Sequence, residues 1–308
     1  SGAKPRGALQ CYHAKPAPIE WGVAEGIWEV VAAVTRSACA AAAAVLIAIV
    51  LAGCSAVTTP TPTPTPTVRP LAMPTKLPAP PTAVCGTGPT PPPTSSALWL
   101  GADGAWFNAG LVGPIDSPTV AVLVHQSDRD YCGWWPYAQD LAQHGVRSLL
   151  IDLCGYGATR CPPNEPVIGS GASAVLAAAT WARAHSATRV VVVGASMGGT
   201  TAILAASKDK GHLLDAVADL SGPIDYLDAH TSKAGRTIRI PSFFAVDPAD
   251  SVVAPSELQS LANEIKTPKP ILHFDGHGHG WDQLSDPLSD DPFDLLADQL
   301  TTFIQNSR

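Results

Sequence analysis

The sequence predicts an α/β domain built on a mostly parallel central sheet flanked by helices, and three observations carry that expectation. The run Val190-Val191-Val192-Val193 is apolar on both faces, as a strand in the middle of a parallel sheet requires. It leads through Gly194-Ala195-Ser196-Met197-Gly198 into Gly199, Thr200, Thr201 and Ala202, small residues that let a helix pack close to the strand. Two more apolar strands, at 240–246 and 271–274, each end in a loop that holds Asp or His. Open α/β sheets gather their sites at such carboxyl ends.

The remaining elements follow from periodicity. Residues 172–184 are alanine-rich, with Leu176, Ala179, Trp181 and Ala182 free to pack, and predict a helix. Residues 216–220 read as a strand, and only about 20 residues separate it from the strand at Ile240. That leaves room for a loop or short helix and not for a cap domain, so the site is expected to be open. Apolar spacing near 3.6 in Leu258, Leu261 and Ile265, and in Leu295, Leu296, Leu300 and Ile304, predicts helices at 256–265 and 292–304.

The motif Gly-x-Ser-x-Gly at 194–198 makes Ser196 the candidate nucleophile. A turn this tight needs small neighbours, because larger side chains would meet the crossing backbone. A serine hydroxyl reacts only when a base takes its proton, and the imidazole base needs a carboxylate to fix its tautomer. Both partners follow in the chain: Asp247 or Asp250 after one strand, His277 or His279 after the next. His273, His277 and His279, with Asp275 and Asp282, also have the composition of a zinc site if their rings converge. A glycine-rich loop that already supplies a triad histidine argues against that use, and neither a metal nor an organic cofactor is expected.

The order serine, acid, histidine resembles that of the α/β-hydrolase superfamily. From about Ala97 to the end, the chain is similar to its capless, dienelactone-hydrolase-like and acyl-esterase members. By that resemblance, residues 97–108 are the opening hairpin with Asp103-Gly104 as its turn, and 119–125 the strand before the oxyanion loop. Likewise, 134–145 is the first helix and Asp152-Leu-Cys-Gly155-Tyr-Gly157 the family's Asp-x-x-Gly-x-Gly segment. Asp250, ahead of Val252, Val253 and Pro255, is similar to the family's Asp-x-Val-Val-Pro habit and is favoured over Asp247, which reads as a turn-former beside proline. Gly276-His-Gly-His279-Gly280 fits Gly-x-Gly-His-Gly and favours His279 over His277, with His273 a packed or rim residue. The resemblance implies oxyanion donors at the N–H of Met197 and of Ser127 or Gln126. Here the chain departs from the family, with Gln126 where a glycine is usual, which narrows the approach and allows its amide to point into the site.

The front of the chain is a different object. Residues 37–51 are almost wholly apolar, Arg36 precedes them, and they end in Leu51-Ala52-Gly53-Cys54. That order reads as an export signal. Leu-Ala-Gly-Cys resembles a bacterial lipobox, making Cys54 the expected lipidation site over 37–54; an uncleaved membrane span is the alternative. Either way the catalytic domain lies outside the cytoplasm. Residues 1–36 have no pattern, and one reading of them is that natural translation starts near Val31 or Val34. Residues 55–96 form a Pro/Thr-rich linker, extended because proline fixes φ and removes donors, which would hold domain 97–308 off the membrane.

Cys85, Cys132, Cys154 and Cys161 remain after Cys54, an even set that outside the cytoplasm suggests two disulfides among three pairings. Cys154 and Cys161 close most easily, which leaves Cys85 to tie the linker to Cys132; a free Cys132 is the alternative. A net charge of −7 with no basic stripe excludes a nucleic-acid partner. These readings together predict a monomeric, surface-anchored serine hydrolase for a small-molecule or polymer ester. A peptidase or amidase on the same triad, a binding module that lost turnover, and a wall-attached structural protein are the alternatives.

Overall fold

The computed structural model describes residues 70–86, 93–266, 268–274, 277–285 and 295–307. Its strands are β1 (Ser95–Ala102), β2 (Ala105–Val112), β3 (Thr119–Val124), β4 (Arg147–Ile151), β5 (Arg189–Ala195), β6 (Ala216–Leu220), β7 (Asp225–Tyr226), β8 (Ala229–His230), β9 (Ser242–Ala245) and β10 (Ile271–His273). The longer helices are α1 (Trp135–Gln143), α2 (Val167–Ala184), α3 (Met197–Lys208), α4 (Pro255–Glu264) and α5 (Leu295–Asn306). Eight strands join in the order β1-β2-β4-β3-β5-β6-β9-β10. β1 with β2 and β2 with β4 run antiparallel; every later pairing in that sheet is parallel.

The valine run explains the middle of this sheet. Val190 and Val192 point into one apolar layer with residues of α2, α3 and α4, while Val191 and Val193 point into the other with α1 and α5. β3 behaves the same way, with Val120, Val122 and Val124 on one side and Ala121 and Leu123 on the other. Two buried faces are the reason these strands carry no polar alternation.

α2 begins at Val167, five residues before the expected 172. Its first turn, Val-Ile-Gly-Ser-Gly, holds poor helix formers, and a carboxylate from elsewhere supports it. Asp228, in the β7–β8 hairpin, accepts hydrogen bonds from Ile168 N (2.9 Å) and Gly169 N (2.8 Å), which satisfies donors that a helix leaves open at its start. This two-stranded hairpin and a short turn at Ala234–Arg236 are the only regular structure between β6 and β9, so no cap domain stands there.

The domain boundary at 97 needs correction. Residues 70–86, assigned from composition to the linker, lie on the domain. Leu71 N donates to Gly104 O (3.0 Å), and the indole N–H groups of Trp99 and Trp106 donate to Lys76 O (2.8 Å) and Leu71 O (2.9 Å). Pro74 and Pro81 are buried. Tertiary contacts, not local periodicity, order this strap. A disulfide ends it, joining Cys85 to Cys132, and a second joins Cys154 to Cys161. The signal at 37–54, Cys54 and the linker as far as 69 lie outside the described residues. Among the described residues no helix is long and apolar enough to cross a membrane.

Candidate active site

Ser196 stands between β5 and α3 with φ 49° and ψ −117°. A non-glycine residue pays roughly 1–3 kcal/mol to sit in such a region, so the surroundings must impose it. They do so through close backbone approach. A Cβ on Gly194 would fall onto the carbonyl of Gly198, and one on Gly198 would fall onto the carbonyl of Val124. Both glycines of the motif are therefore required by the crossing of backbone over backbone. Ser196 N donates to Leu220 O at 2.8 Å, tying the turn to β6. Met197 is buried and is the first residue of α3, so its N–H has no intrahelical acceptor and is available to a bound anion.

Asp250 lies in the loop after β9, its side chain wholly buried. Its Oδ1 accepts from Val252 N (2.7 Å) and Val253 N (3.1 Å), and its Oδ2 lies 2.8 Å from His279 Nδ1. Burial pushes this carboxyl up, yet the hydrogen bonds from His279, Val252, Ser221 and Val253 outweigh it and hold the group below the usual carboxylate range. An ionised carboxylate only accepts, so His279 Nδ1 donates and neutral His279 keeps a free Nε2 lone pair. Gly280, the next residue, packs against Ala195, the neighbour of Ser196. The structure thus brings the histidine loop onto the elbow.

The competing candidates fall elsewhere. Asp247 Oδ1 accepts from Ala249 N (2.6 Å) and its Oδ2 from Gly278 N (2.7 Å), so it shapes its own turn and braces the histidine loop. His277 is exposed, and the ring of His273 stacks on Phe243 with centroids 4.6 Å apart. Asp275 lies outside the described residues. Among those described, no group of three His, Cys, Asp or Glu side chains converges on a point.

The loop after β3 is held by His125, fully buried. Its Nε2 accepts from Leu153 N (3.0 Å), so the proton sits on Nδ1 and goes to Gln126 O (2.8 Å). Burial keeps this ring neutral, its pKa lowered to about 4. The hydrogen bond fixes the Gln126 carbonyl, and in a trans peptide the Ser127 N–H then points the opposite way. Gln126 is buried, and its Oε1 accepts from Trp281 N (3.2 Å) in the histidine loop. That residue, expected to narrow the approach, thus links the oxyanion loop to the turn that follows His279. Beside them opens a cleft of about 300 Å³, lined in part by Arg129, Trp134, Trp281 and Asp282. The rings of Trp281 and Trp134 stand nearly perpendicular with centroids 5.6 Å apart, and the Trp281 ring lies beside Gly133.

Three residues near the site carry no motif that sequence reading uses: Ser221, Gln283 and Asp219. Asp219 is fully buried beneath α3, touching Gly199 and Gly222. Burial pushes its carboxyl up to about 7, against a hydrogen bond from Gly222 N (2.7 Å).

Known proteins show the same frame. A family model described as the alpha/beta hydrolase fold matches residues 122–263. Nothing among curated protein sequences matches with significance. The esterase Pf2001 of Pyrococcus furiosus superposes with a TM-score of 0.56 at 16% identity, covering 66% of this chain and 90% of its own. A dienelactone hydrolase from Anabaena variabilis gives 0.56 at 20% identity, over 70% of this chain and 99% of its own. The ferulic acid-bound Est1E of Butyrivibrio proteoclasticus gives 0.51 at 16%, over 68% and 96%. Sheet order, elbow and structural likeness agree that the described sheet and the helices that flank it have the α/β-hydrolase fold.

Proposed function

We propose that this domain is a serine hydrolase that cleaves carboxylic esters. The observation that carries the reading is the 2.8 Å His279–Asp250 contact, held by Gly280 against the elbow that presents Ser196. Ser196 Oγ forms a bond to the acyl carbon while its proton passes to His279 Nε2 and the carbonyl electrons move to oxygen. Met197 N–H and Ser127 N–H, or Gln126 N–H, donate to that oxyanion. Losing one such donor typically costs about 10²–10³ in turnover. Collapse expels the alcohol, which takes the proton from His279. Water then repeats the sequence on the acyl-enzyme, and Asp250 stabilises the imidazolium at both stages. The steps need no metal or organic cofactor.

Esterases and a dienelactone hydrolase among the similar structures support an ester over an amide. The open site supports a substrate that is a small molecule or the accessible end of a polymer. Two disulfides support an oxidising, extracytoplasmic setting, and the Leu-Ala-Gly-Cys54 sequence supports a lipid anchor in a membrane. The test is a fluorophosphonate probe with a panel of p-nitrophenyl esters and anilides. Labelling of Ser196 alone, with ester turnover that Ser196→Ala abolishes, is expected. Labelling that survives Ser196→Ala overturns the reading.

A further inference from the structure

The two loops that serve the site also wall the cleft beside it. Asp128 and Arg129 are the next residues after Ser127, and Trp281 and Asp282 come two and three residues after His279. Asp282 N donates to His279 O at 3.1 Å, and Trp281 N donates to Gln126 Oε1 at 3.2 Å. One wall of the cleft is thus bonded to the backbone of the base and another to the oxyanion loop. Two residues of chain reach at most about 7 Å, so a group in the cleft stands beside the ester that Ser196 attacks. Much of the remaining lining is apolar, with Trp134 and Leu284 next to Trp281. The two indoles meet at 79°, an edge-to-face arrangement that the charge distribution of aromatic rings favours. Trp134 is fully buried, whereas Trp281 is only half-buried and leaves part of its ring open to the cleft. A Cβ on Gly133 would fall onto the benzene edge of Trp281, so this glycine supplies the space in which the indole lies. The charged groups of the lining are the carboxylates of Asp128 and Asp282 against the single guanidinium of Arg129. That balance disfavours an anion. A volume of about 300 Å³ lies at the small end of ligand sites, enough for one ring and too little for a long chain.

We propose that this cleft is the subsite for an uncharged aryl group of the ester substrate, and that Trp281, given its place by Gly133, is the residue that selects it. The inference rests on the reading of Ser196 and His279 as catalytic. An aromatic ring and a saturated ring of the same size bury nearly equal apolar area. Only the aromatic one gains from facing the indole, so discrimination between them reports on Trp281. The aryl group can belong to the acyl or to the alcohol part of the ester; both present the same chemistry to the cleft.

The test measures kcat/KM for two pairs of esters whose members differ in whether their ring is aromatic. One pair is methyl phenylacetate and methyl cyclohexylacetate; the other is benzyl acetate and cyclohexylmethyl acetate. Each is measured with the wild type, Trp281→Leu, Trp281→Phe and Gly133→Ala, and comparison with the wild type cancels the intrinsic reactivities. In the pair whose ring occupies the cleft, Trp281→Leu should lower the aromatic-to-saturated ratio about two- to tenfold, the size of one aromatic pair. Trp281→Phe should keep most of the ratio, and Gly133→Ala, which pushes the indole aside, should lower it as leucine does. A response in the first pair puts the aryl group on the acyl side, and one in the second puts it on the alcohol side. A ratio unchanged by Trp281→Leu in both pairs overturns the proposal, and turnover that Ser196→Ala abolishes then leaves the triad reading intact. If Trp281→Leu does not fold, an unchanged ratio in Gly133→Ala is the overturning result. A wild type that favours the saturated member of both pairs overturns the proposal whatever the variants do. So does a folded wild type that turns over none of these esters, in which case fluorophosphonate labelling of Ser196 decides the hydrolase reading by itself.

Discussion

His277 and His279 stand two residues apart in one loop, yet only His279 meets a buried carboxylate. Under the proposed mechanism, replacing His279 with alanine should therefore cost about as much ester turnover as Ser196→Ala. His277→Ala should stay near wild type, and steady-state rates on one activated ester decide between them. Asp250→Asn should lose orders of magnitude, because an amide cannot stabilise the imidazolium. Asp247→Asn should lose far less, though more than nothing: both Asp247 oxygens accept backbone N–H groups, one of them from Gly278, and an amide keeps one acceptor. The turn at Ser196 was readable, because the crossing backbones at 194 and 198 dictate residue types that survive as a pattern, and the loops that bring Asp250 and His279 within 2.8 Å each follow a strand that reads as apolar. Ser221 and Gln283 were not readable. What they touch depends on burial and on a partner 62 positions away in the chain. No local rule singles out a serine or glutamine for such a contact.

At the scale of elements, the strand–elbow–helix unit is the most constrained part of the fold. Gly194→Ala and Gly198→Ala each place a methyl group on a backbone carbonyl, so neither should yield folded, probe-reactive protein at wild-type levels. Circular dichroism with probe labelling reads this out. α2 offers a milder case. Asp228→Ala removes the carboxylate from two N–H groups at its start. It should cost about 1 kcal/mol, or roughly 2–4 °C in Tm by calorimetry for a domain of this size. The parallel strands were legible because burial on both faces leaves an unbroken apolar run. The beginning of α2 and the strap at 70–86 were not. In both, partners distant in sequence override weak or contrary local propensity: Asp228 for the first, Trp99 and Trp106 for the second.

Across the whole molecule, two buried titrating groups flank the nucleophile turn with opposite effects on stability. His125 has its pKa lowered to about 4 from 6.5, so between those values the unfolded chain binds more protons and the His125 contribution rises with pH. Asp219 has its pKa raised from 3.8 to about 7, so over that range the folded chain binds more protons and the Asp219 contribution falls as pH rises. The slopes oppose one another over most of the same window. Asp219→Asn should therefore make stability climb more steeply between about pH 4.5 and 6.5 than it does in the parent, as read by urea unfolding at a series of pH values. The join between strap and domain has a mechanical consequence. Tension applied from the N-terminal side would peel the strap one bond at a time, first at Leu71 and Gly104 and then at Lys76 and Trp99. The tear stops at Cys85, where the load passes covalently to Cys132 and bypasses the edge strand β1. A pulled chain thus acts like cloth with a stitched hem: it gives a little length and then holds, with the load entering the domain after β3 instead of through β1.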